Sequence, residues 1–342
     1  MSIKDYFLLP DHKILEESKL ELEKKTKELF CVMDGGRCSF RQKNNGTGCS
    51  FCSLNQLNDK SRTPDFWESI ISLDHVNELV NEYQPESLVL SVNGSIFGPE
   101  FNQEALFVGL KKILENPCLQ EIIFETRMEW LNEDLLVSLS NSIPESIKIG
   151  FNVGLEIFDN DARKATSKQV KLKDIERTYF LIDKLLANRG LLTFYMLFKP
   201  FPHKMRCFED GFPTWDITRS ENDILQALEY LISLGSSKSE ISIWINFTFP
   251  SRGTIIEDWW NNGVWTPPSK EEVCELFRKI KLFNLDKIKV RPGIAKETLP
   301  CSERSGVYKE GLVESEGDDF IGKEEYEMLY NFILTQDYSC FF

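Results

Sequence analysis

The sequence predicts an α/β fold, a partial (β/α)6-type TIM barrel with an N-terminal helix and a C-terminal extension. Two observations support this fold class. Strand-like and helix-like segments alternate along the chain, and the strand candidates are apolar on both faces. Such strands are typical of a parallel sheet covered by helices, and a run of βα units favours a barrel.

The strand candidates cover 29–33, 87–92, 121–125, 147–155, 191–198 and 241–247, and a seventh short strand is expected at 286–291. Helical patterns lie near 73–83, 103–115, 132–140, 173–188, 221–234 and 269–282. We expect residues 1–28 to be a helical extension, with an amphipathic helix over 11–28. Residues 29–294 form the barrel core, and 295–342 form a cap of the same domain.

The composition is that of a globular protein, with 342 residues, 42% hydrophobic and 27% charged. The net charge of −14 disfavours non-specific binding to phosphate backbones. No apolar run approaches the length of a membrane span, and the N-terminal segment is too charged for a secretory signal. Abundant thiols suit a reducing compartment, so we expect a cytoplasmic protein without a membrane partner.

Three thiols lie in one stretch rich in glycine and asparagine: Cys38, Cys49 and Cys52. Thiolates hold iron–sulfur clusters, and three of them leave one iron of a four-iron cluster without a protein ligand. A structural zinc site is an alternative, but it needs a fourth ligand. Cys31 is the available candidate, and it lies in an apolar run that reads as a buried strand. Inert thiols are the remaining alternative.

Polar residues follow the predicted strands, where functional groups of β/α barrels gather. Asn93 and Ser95 lie in a loop of small residues that lets a backbone approach a ligand, although the same loop is compatible with an ordinary turn. Arg127 offers a fork for a carboxylate, or a salt bridge to a neighbouring glutamate. Glu156 suits ribose hydroxyls, or a helix N-terminus.

Later strands are followed by two more cations, Lys199 and Arg252. Together with the earlier residues they place amide, guanidinium, carboxylate and ammonium groups around one barrel mouth. The cysteines lie at the same mouth, because their loop follows the first predicted strand.

Several segments, taken in order, resemble the radical S-adenosylmethionine (SAM) superfamily. More closely, they are similar to the branch that contains the elongator catalytic subunit and the radical-SAM subunit of archaeosine synthase. The segments are the cysteine loop with its long spacing, Ser91–Phe97, Glu125–Glu129, Gly154–Glu156, Lys199–Phe201, and Arg252–Thr254 followed by Trp265–Pro268. Met128 and Ile157 depart from the pattern of that branch, in which proline and serine or threonine are usual.

This resemblance implies a [4Fe–4S] cluster on Cys38, Cys49 and Cys52, with SAM chelated to the open iron. Reduction by an external electron donor of the flavodoxin or ferredoxin type would cleave SAM to a 5′-deoxyadenosyl radical. By position, Arg127 would hold the methionine carboxylate, and Asn93 or Ser95 would lie near the amino group. Glu156 would take the ribose hydroxyls, and Phe51 would pack on adenine.

The expected enzyme starts a lyase or rearrangement reaction by abstracting hydrogen from an amino-acid-like small molecule or a modified nucleoside. Lys199 and Arg252 are candidates for binding the substrate carboxylate. A tRNA-modifying lyase like archaeosine synthase is the alternative, and the acidic surface makes it the less favoured one. A non-catalytic iron–sulfur or zinc protein is the alternative from a different class.

Overall fold

The computed structural model describes residues 5–9, 28–33, 35–36, 38–39, 49, 51, 62–92, 94–166, 168–203, 212–248, 250, 254–283, 285, 288–293, 328–329, 331–332 and 335–341. Of residues 5–9 it describes the backbone.

The strands form one sheet in which sequence order and spatial order coincide, from β1 to β8. Their bounds are β1 Asp5–Leu9, β2 Glu28–Met33, β3 Ser87–Val92, β4 Glu121–Thr126, β5 Lys148–Glu156, β6 Gly190–Phe198, β7 Glu240–Phe247 and β8 Ile288–Gly293. Strands β2 to β8 are parallel to their neighbours, and β1 pairs with β2 in the antiparallel sense. No pairing joins β8 to β1 among these strands, so the barrel is open, as the partial-barrel prediction requires.

Helices connect the parallel strands and cover the outer face of the sheet. They are α1 Phe66–Tyr83, α2 Gln103–Ile113, α3 Glu133–Ser142, α4 Asn160–Ala165, α5 Leu172–Leu186, α6 Ile217–Ser233, α7 Ile255–Asn261 and α8 Lys270–Ile280. The predicted α1 began too late, because Asp65 and Glu68 form a capping box that starts the helix at Phe66. Two short helices, α4 and α7, and the edge strand β1 were not predicted.

Alternate strand residues divide the sheet into two faces. Leu88, Leu90 and Val92 of β3 belong to the main hydrophobic core beneath the helices. The opposite face, called the inner face below, carries polar and aromatic side chains that contact one another across the strands. They are Ser91, Glu125, Asn152, Tyr195, Trp244 and Arg291.

A second apolar cluster lies beyond the carboxyl ends of β5 and β6. Its buried members include Ile157, Phe201, Trp215, Trp259 and Trp265. The tryptophans of this cluster serve core packing. Loop residues at the barrel mouth, Phe51 and Phe212, pack against this cluster.

The predicted N-terminal helix over 11–28 falls outside the described residues, except for Glu28, which begins β2. Most of the predicted cap at 295–342 falls outside them too. Near the chain end, Phe341 stacks on Phe277 of α8 at 4.6 Å between ring centroids. In the part of the chain that the structure describes, no helix is long and apolar enough to cross a membrane.

Candidate active site

Two of the three clustered thiols, Cys38 and Cys49, are among the described residues, and both are partly buried. Cys52 lies outside the described residues. Both thiols raise the pKa of the Arg127 side chain. Burial lowers the pKa of this guanidinium, but the Glu129 carboxylate and then the two thiols outweigh it, so the pKa is raised. The described residues alone contain no group of three or more His, Cys, Asp or Glu side chains arranged to hold a metal ion.

The cysteine loop is tied to the loop that follows β3 by Glu100. The backbone N–H of Ser39, next to Cys38, donates to Glu100 Oε1 at 2.7 Å. The N–H of Gly36 donates to the Glu100 carbonyl at 2.7 Å. The Glu100 side chain is 1% exposed, and a side chain at Gly98 would collide with it. Glu100 therefore holds the chain on both sides of Cys38.

The far end of the same loop is held at two other points. Thr63 Oγ1 donates to the carbonyl of Pro99 at 2.5 Å, again in the loop after β3. Phe51 packs edge-on against Phe201 and Trp259, with ring centroids 5.8 and 6.3 Å away. The predicted adenine contact of Phe51 stays a prediction, and the structure places its ring on the wall of the second apolar cluster.

The loops after β3 and β4 are joined by Ser95. Its hydroxyl lies 2.5 Å from Thr126 Oγ1 and accepts from the backbone N–H of Arg127 at 3.3 Å. Ser95 is fully buried, whereas the Arg127 guanidinium donates to Glu129, which is 47% exposed on its side chain. An exposed partner can be exchanged for a ligand carboxylate at little cost, so the predicted role of Arg127 is compatible with this geometry. Asn93 lies outside the described residues.

Glu156 stands at the end of β5 with φ of 67° and forms a partly buried ion pair with Lys168. The Lys168 Nζ lies 2.8 Å from Glu156 Oε1, and the two side chains are 12% and 22% exposed. Burial lowers the pKa of Lys168, but Glu156 and then Cys49 outweigh it and raise the pKa. A side chain at Gly154 would collide with both groups of the pair. The glycine of the Gly-Leu-Glu segment thus makes room for this ion pair.

Lys199 stands at the end of β6 with φ of 60° and is 7% exposed. Its ammonium donates to both carboxylate oxygens of Glu272, at 2.9 and 3.0 Å, and to Thr266 Oγ1 at 3.2 Å. Trp265 donates to the carbonyl of Lys199 at 3.0 Å. Lys199 therefore ties β6 to the segment before α8. Its predicted role in substrate binding stays a prediction, and Arg252 lies outside the described residues.

A buried hydrogen-bonded chain crosses the inner face below these loops. Ser91 and Tyr195 donate to the two oxygens of Glu125 at 2.5 and 2.6 Å, and Asn152 donates to the Tyr195 hydroxyl at 2.8 Å. Burial raises the pKa of Glu125 by more than these two bonds lower it. Glu125 is therefore engaged with the inner face, and Arg127 takes Glu129 as its acidic partner instead.

Sequence reasoning missed Glu100, Lys168 and Tyr195. Glu100 follows the loop of small residues after β3, and its proximity to Gly94 and Gly98 was the available signal. Lys168 lies 12 residues beyond Glu156 in a polar stretch that has no distinctive pattern. Tyr195 reads as one aromatic residue in an apolar strand.

The residues around the thiols fit an iron–sulfur cluster with SAM. Two cations, Arg127 and Lys168, lie within electrostatic range of Cys49. A cluster held by thiolates is anionic, and cationic neighbours stabilise thiolates and such clusters. The site also lies at the carboxyl end of parallel strands, where barrel enzymes hold their cofactors.

No protein-family model matches the chain, but one known protein is similar in sequence. An uncharacterized protein of Methanocaldococcus jannaschii is 26% identical over 301 residues, which cover 85% of this chain and 72% of the relative.

Among solved structures, Elp3 of Methanocaldococcus infernus has a TM-score of 0.47 at 12% identity, over 79% of this chain and 59% of that protein. Coproporphyrinogen III oxidase HemN of Escherichia coli, a radical SAM enzyme, has a TM-score of 0.42 at 12% identity, over 80% of this chain and 56% of that protein. This chain thus spans less than two thirds of either. Both neighbours are members of the radical SAM superfamily, the superfamily that the sequence resembles, and Elp3 represents the branch that it resembles more closely.

Proposed function

We propose that this protein is a radical SAM enzyme whose [4Fe–4S] cluster is held by Cys38, Cys49 and Cys52. The observation that carries the proposal is that Arg127 lies within electrostatic range of Cys38 and Cys49, and Lys168 within range of Cys49, at the carboxyl end of the parallel strands. When bound, cluster and SAM supply a 5′-deoxyadenosyl radical, which abstracts hydrogen from the substrate. The protein's own residues bind, orient and exclude water.

The residues at the mouth divide the binding of SAM among them. Arg127 exchanges the exposed Glu129 for the methionine carboxylate. Ser95 holds the backbone of Arg127 in place, and Asn93 or Ser95 would lie near the amino group. Glu156 would accept from the ribose hydroxyls, and the ion pair with Lys168 holds its carboxylate. Phe51 offers the adenine a ring that is already packed on one side.

The proposed substrate is an amino-acid-like small molecule or a modified nucleoside, in a lyase or rearrangement reaction. The net charge of −14 supports a small molecule over tRNA, because an acidic surface repels a phosphate backbone. A flavodoxin or ferredoxin type of donor in a reducing cytoplasm would supply the electron. A salt-sensitive complex with tRNA in a binding assay would support the tRNA-modifying alternative instead.

The test is anaerobic reconstitution followed by reduction with dithionite in the presence of SAM. We expect roughly four irons per chain and release of 5′-deoxyadenosine. Cys49→Ala should lose both, whereas Cys340→Ala, which removes a thiol bonded to the Asp337 carbonyl near the chain end, should retain both. Fully reconstituted, reduced protein that releases no 5′-deoxyadenosine would overturn the proposal and favour a non-catalytic metal-binding protein.

A further inference from the structure

The inner face of the sheet has two halves that differ in how their polar groups are satisfied. On β3 to β6, the hydrogen-bonded chain of Ser91, Glu125, Tyr195 and Asn152 satisfies itself. On β7 and β8, the buried Nε1 of Trp244 and the buried Nε of Arg291 have no hydrogen-bond partner among the described residues. A buried donor that lacks an acceptor destabilises the fold, and a ligand that brought an acceptor would satisfy both of these donors.

The guanidinium of Arg291 is held in a fixed orientation by stacking. Its carbon lies 4.9 Å from the centroid of the Trp244 ring. The other side of Trp244 is fixed by Tyr195, which meets it edge-on at 5.5 Å. A guanidinium stacked on an aromatic ring keeps its N–H edge free for a planar acceptor.

A third polar side chain, Asn246, converges on the same place. Trp244 pairs with Arg291 in the β7–β8 register, and Asn246 pairs with Gly293. A side chain at Gly293 would collide with the Asn246 carboxamide oxygen and would lie 2.8 Å from Trp244 Nε1. Gly293 therefore leaves the space in which these two side chains meet, close to the carboxyl ends of both strands.

The acidic side chain of Glu28 in β2 lies within electrostatic range of Arg291. Burial raises the pKa of Glu28, Arg291 lowers it by a smaller amount, and Glu121 raises it further. Glu28 Oε1 is itself buried without a hydrogen-bond partner among the described residues, so it does not satisfy the Arg291 Nε–H.

We infer that Arg291 and Trp244, beside the Asn246 carboxamide, bind a carboxylate of the substrate on the β7–β8 side of the inner face. The donors fit this group because Arg and Trp offer N–H groups and accept nothing, and because the guanidinium fork matches a planar carboxylate. The inference rests on the proposed function, since it assigns the substrate's acidic end to the half of the barrel away from Arg127 and Glu156. It adds a new site to the predicted Lys199 and Arg252, of which Lys199 is already occupied by Glu272.

The test uses the reconstituted full chain with SAM and a panel of probes at constant ionic strength. The panel consists of the standard L-α-amino acids, the amine that corresponds to each after loss of its carboxylate, and inorganic phosphate. Thermal unfolding finds the probes that bind, and calorimetry measures their Kd. We expect at least one amino acid to bind, its amine to bind more weakly, and phosphate not to compete.

Variants of the two strands then locate the site. Arg291→Gln should raise the Kd of the amino acid roughly 10- to 100-fold, which corresponds to the loss of a hydrogen bond to a charged group. Arg291→Lys should lie between this variant and the unchanged protein, because it keeps the charge and loses the fork. The matched control is Lys289→Gln, two residues away on the same strand, where the ammonium pairs with Glu240 at 2.7 Å and is 57% exposed. That variant should leave the Kd unchanged.

Three results would overturn the inference: no amino acid of the panel binds, amines or phosphate bind as well as the acids, or folded Arg291→Gln keeps the original Kd. If Arg291→Gln fails to fold, Trp244→Phe tests the same site. This variant keeps an aromatic ring and removes the indole N–H, so it should weaken binding of the amino acid severalfold. The Kd is measured without turnover. A failure of the proposed function, seen as no 5′-deoxyadenosine from the unchanged protein, is therefore distinguishable from a failure of this site.

Discussion

Replacing Glu100 with alanine should remove the side-chain bond that ties Ser39 of the cysteine loop to the loop that follows β3. The Ser39 N–H would lose its acceptor, a buried carboxylate oxygen at 2.7 Å. A hydrogen bond to a charged group contributes about 1.5–3 kcal/mol. The same change removes Glu100 Oε2, which is buried without a partner among the described residues, and this relief offsets part of the loss. The net destabilisation should be about 1–2 kcal/mol.

The two measurements are urea unfolding of the metal-free chain and iron content after anaerobic reconstitution. Iron per chain should fall in Glu100→Ala, because the Ser39 N–H that loses its acceptor adjoins Cys38 and this part of the loop is then less well ordered before the cluster binds. Glu100→Gln keeps an oxygen that can accept from Ser39, so it should lie between the alanine variant and the unchanged protein. The matched control is Glu104→Ala, an exposed acid four residues further on in α2, which should change stability by less than about 0.5 kcal/mol.

The positioning role of Glu100 would be refuted if Glu100→Ala and Glu104→Ala bound the same amount of iron. A loss of stability with full iron content would show that Glu100 serves the fold and not the cluster loop. Equal stability of the two variants would contradict the energy assigned to the Ser39 bond.

Two further predictions concern the end of β5. Gly154→Ala should weaken SAM binding by at least about 10-fold, because the added methyl would push apart Glu156 and Lys168. Each charge-assisted contact is worth more than about 1 kcal/mol. An unchanged Kd for SAM would count against the assigned role of Glu156. Asp223 accepts from two backbone N–H groups just after β5, and burial raises its pKa from 3.8 to about 6. The folded state then binds this proton more tightly than the unfolded state. The free energy of unfolding should therefore fall as the pH rises from about 4 to about 6, by roughly 3 kcal/mol for this one group. Unfolding free energies measured across that range should decline less in Asp223→Asn than in the unchanged protein, and parallel curves for the two would contradict the shift.

Local patterns were enough to predict most of the fold. Each parallel strand is a short apolar run with polar loops at its ends, and the sequence alone predicted the strands from 29–33 to 286–291 within a few residues of their observed bounds. Strand β1 was missed because an edge strand acquires its identity by pairing, here with β2 in the antiparallel sense. Short helices α4 and α7 were missed because one or two turns carry too little periodicity to be recognised.

The candidate site, like the fold, could be predicted from the sequence only in part. The thiols, Arg127 and Glu156 could be selected from the sequence, because residue type, spacing and position after a strand are local properties. Their partners could not be selected, because Ser39 and Glu100 are 61 residues apart and Glu125 and Tyr195 are 70 apart. Such pairs arise only when the sheet brings successive strand ends together. The sequence by itself therefore determined which reactive side chains follow each strand. The tertiary structure decided that Lys168 faces Glu156 and that Arg291 stacks on Trp244, since those contacts exist only between segments that folding makes neighbours.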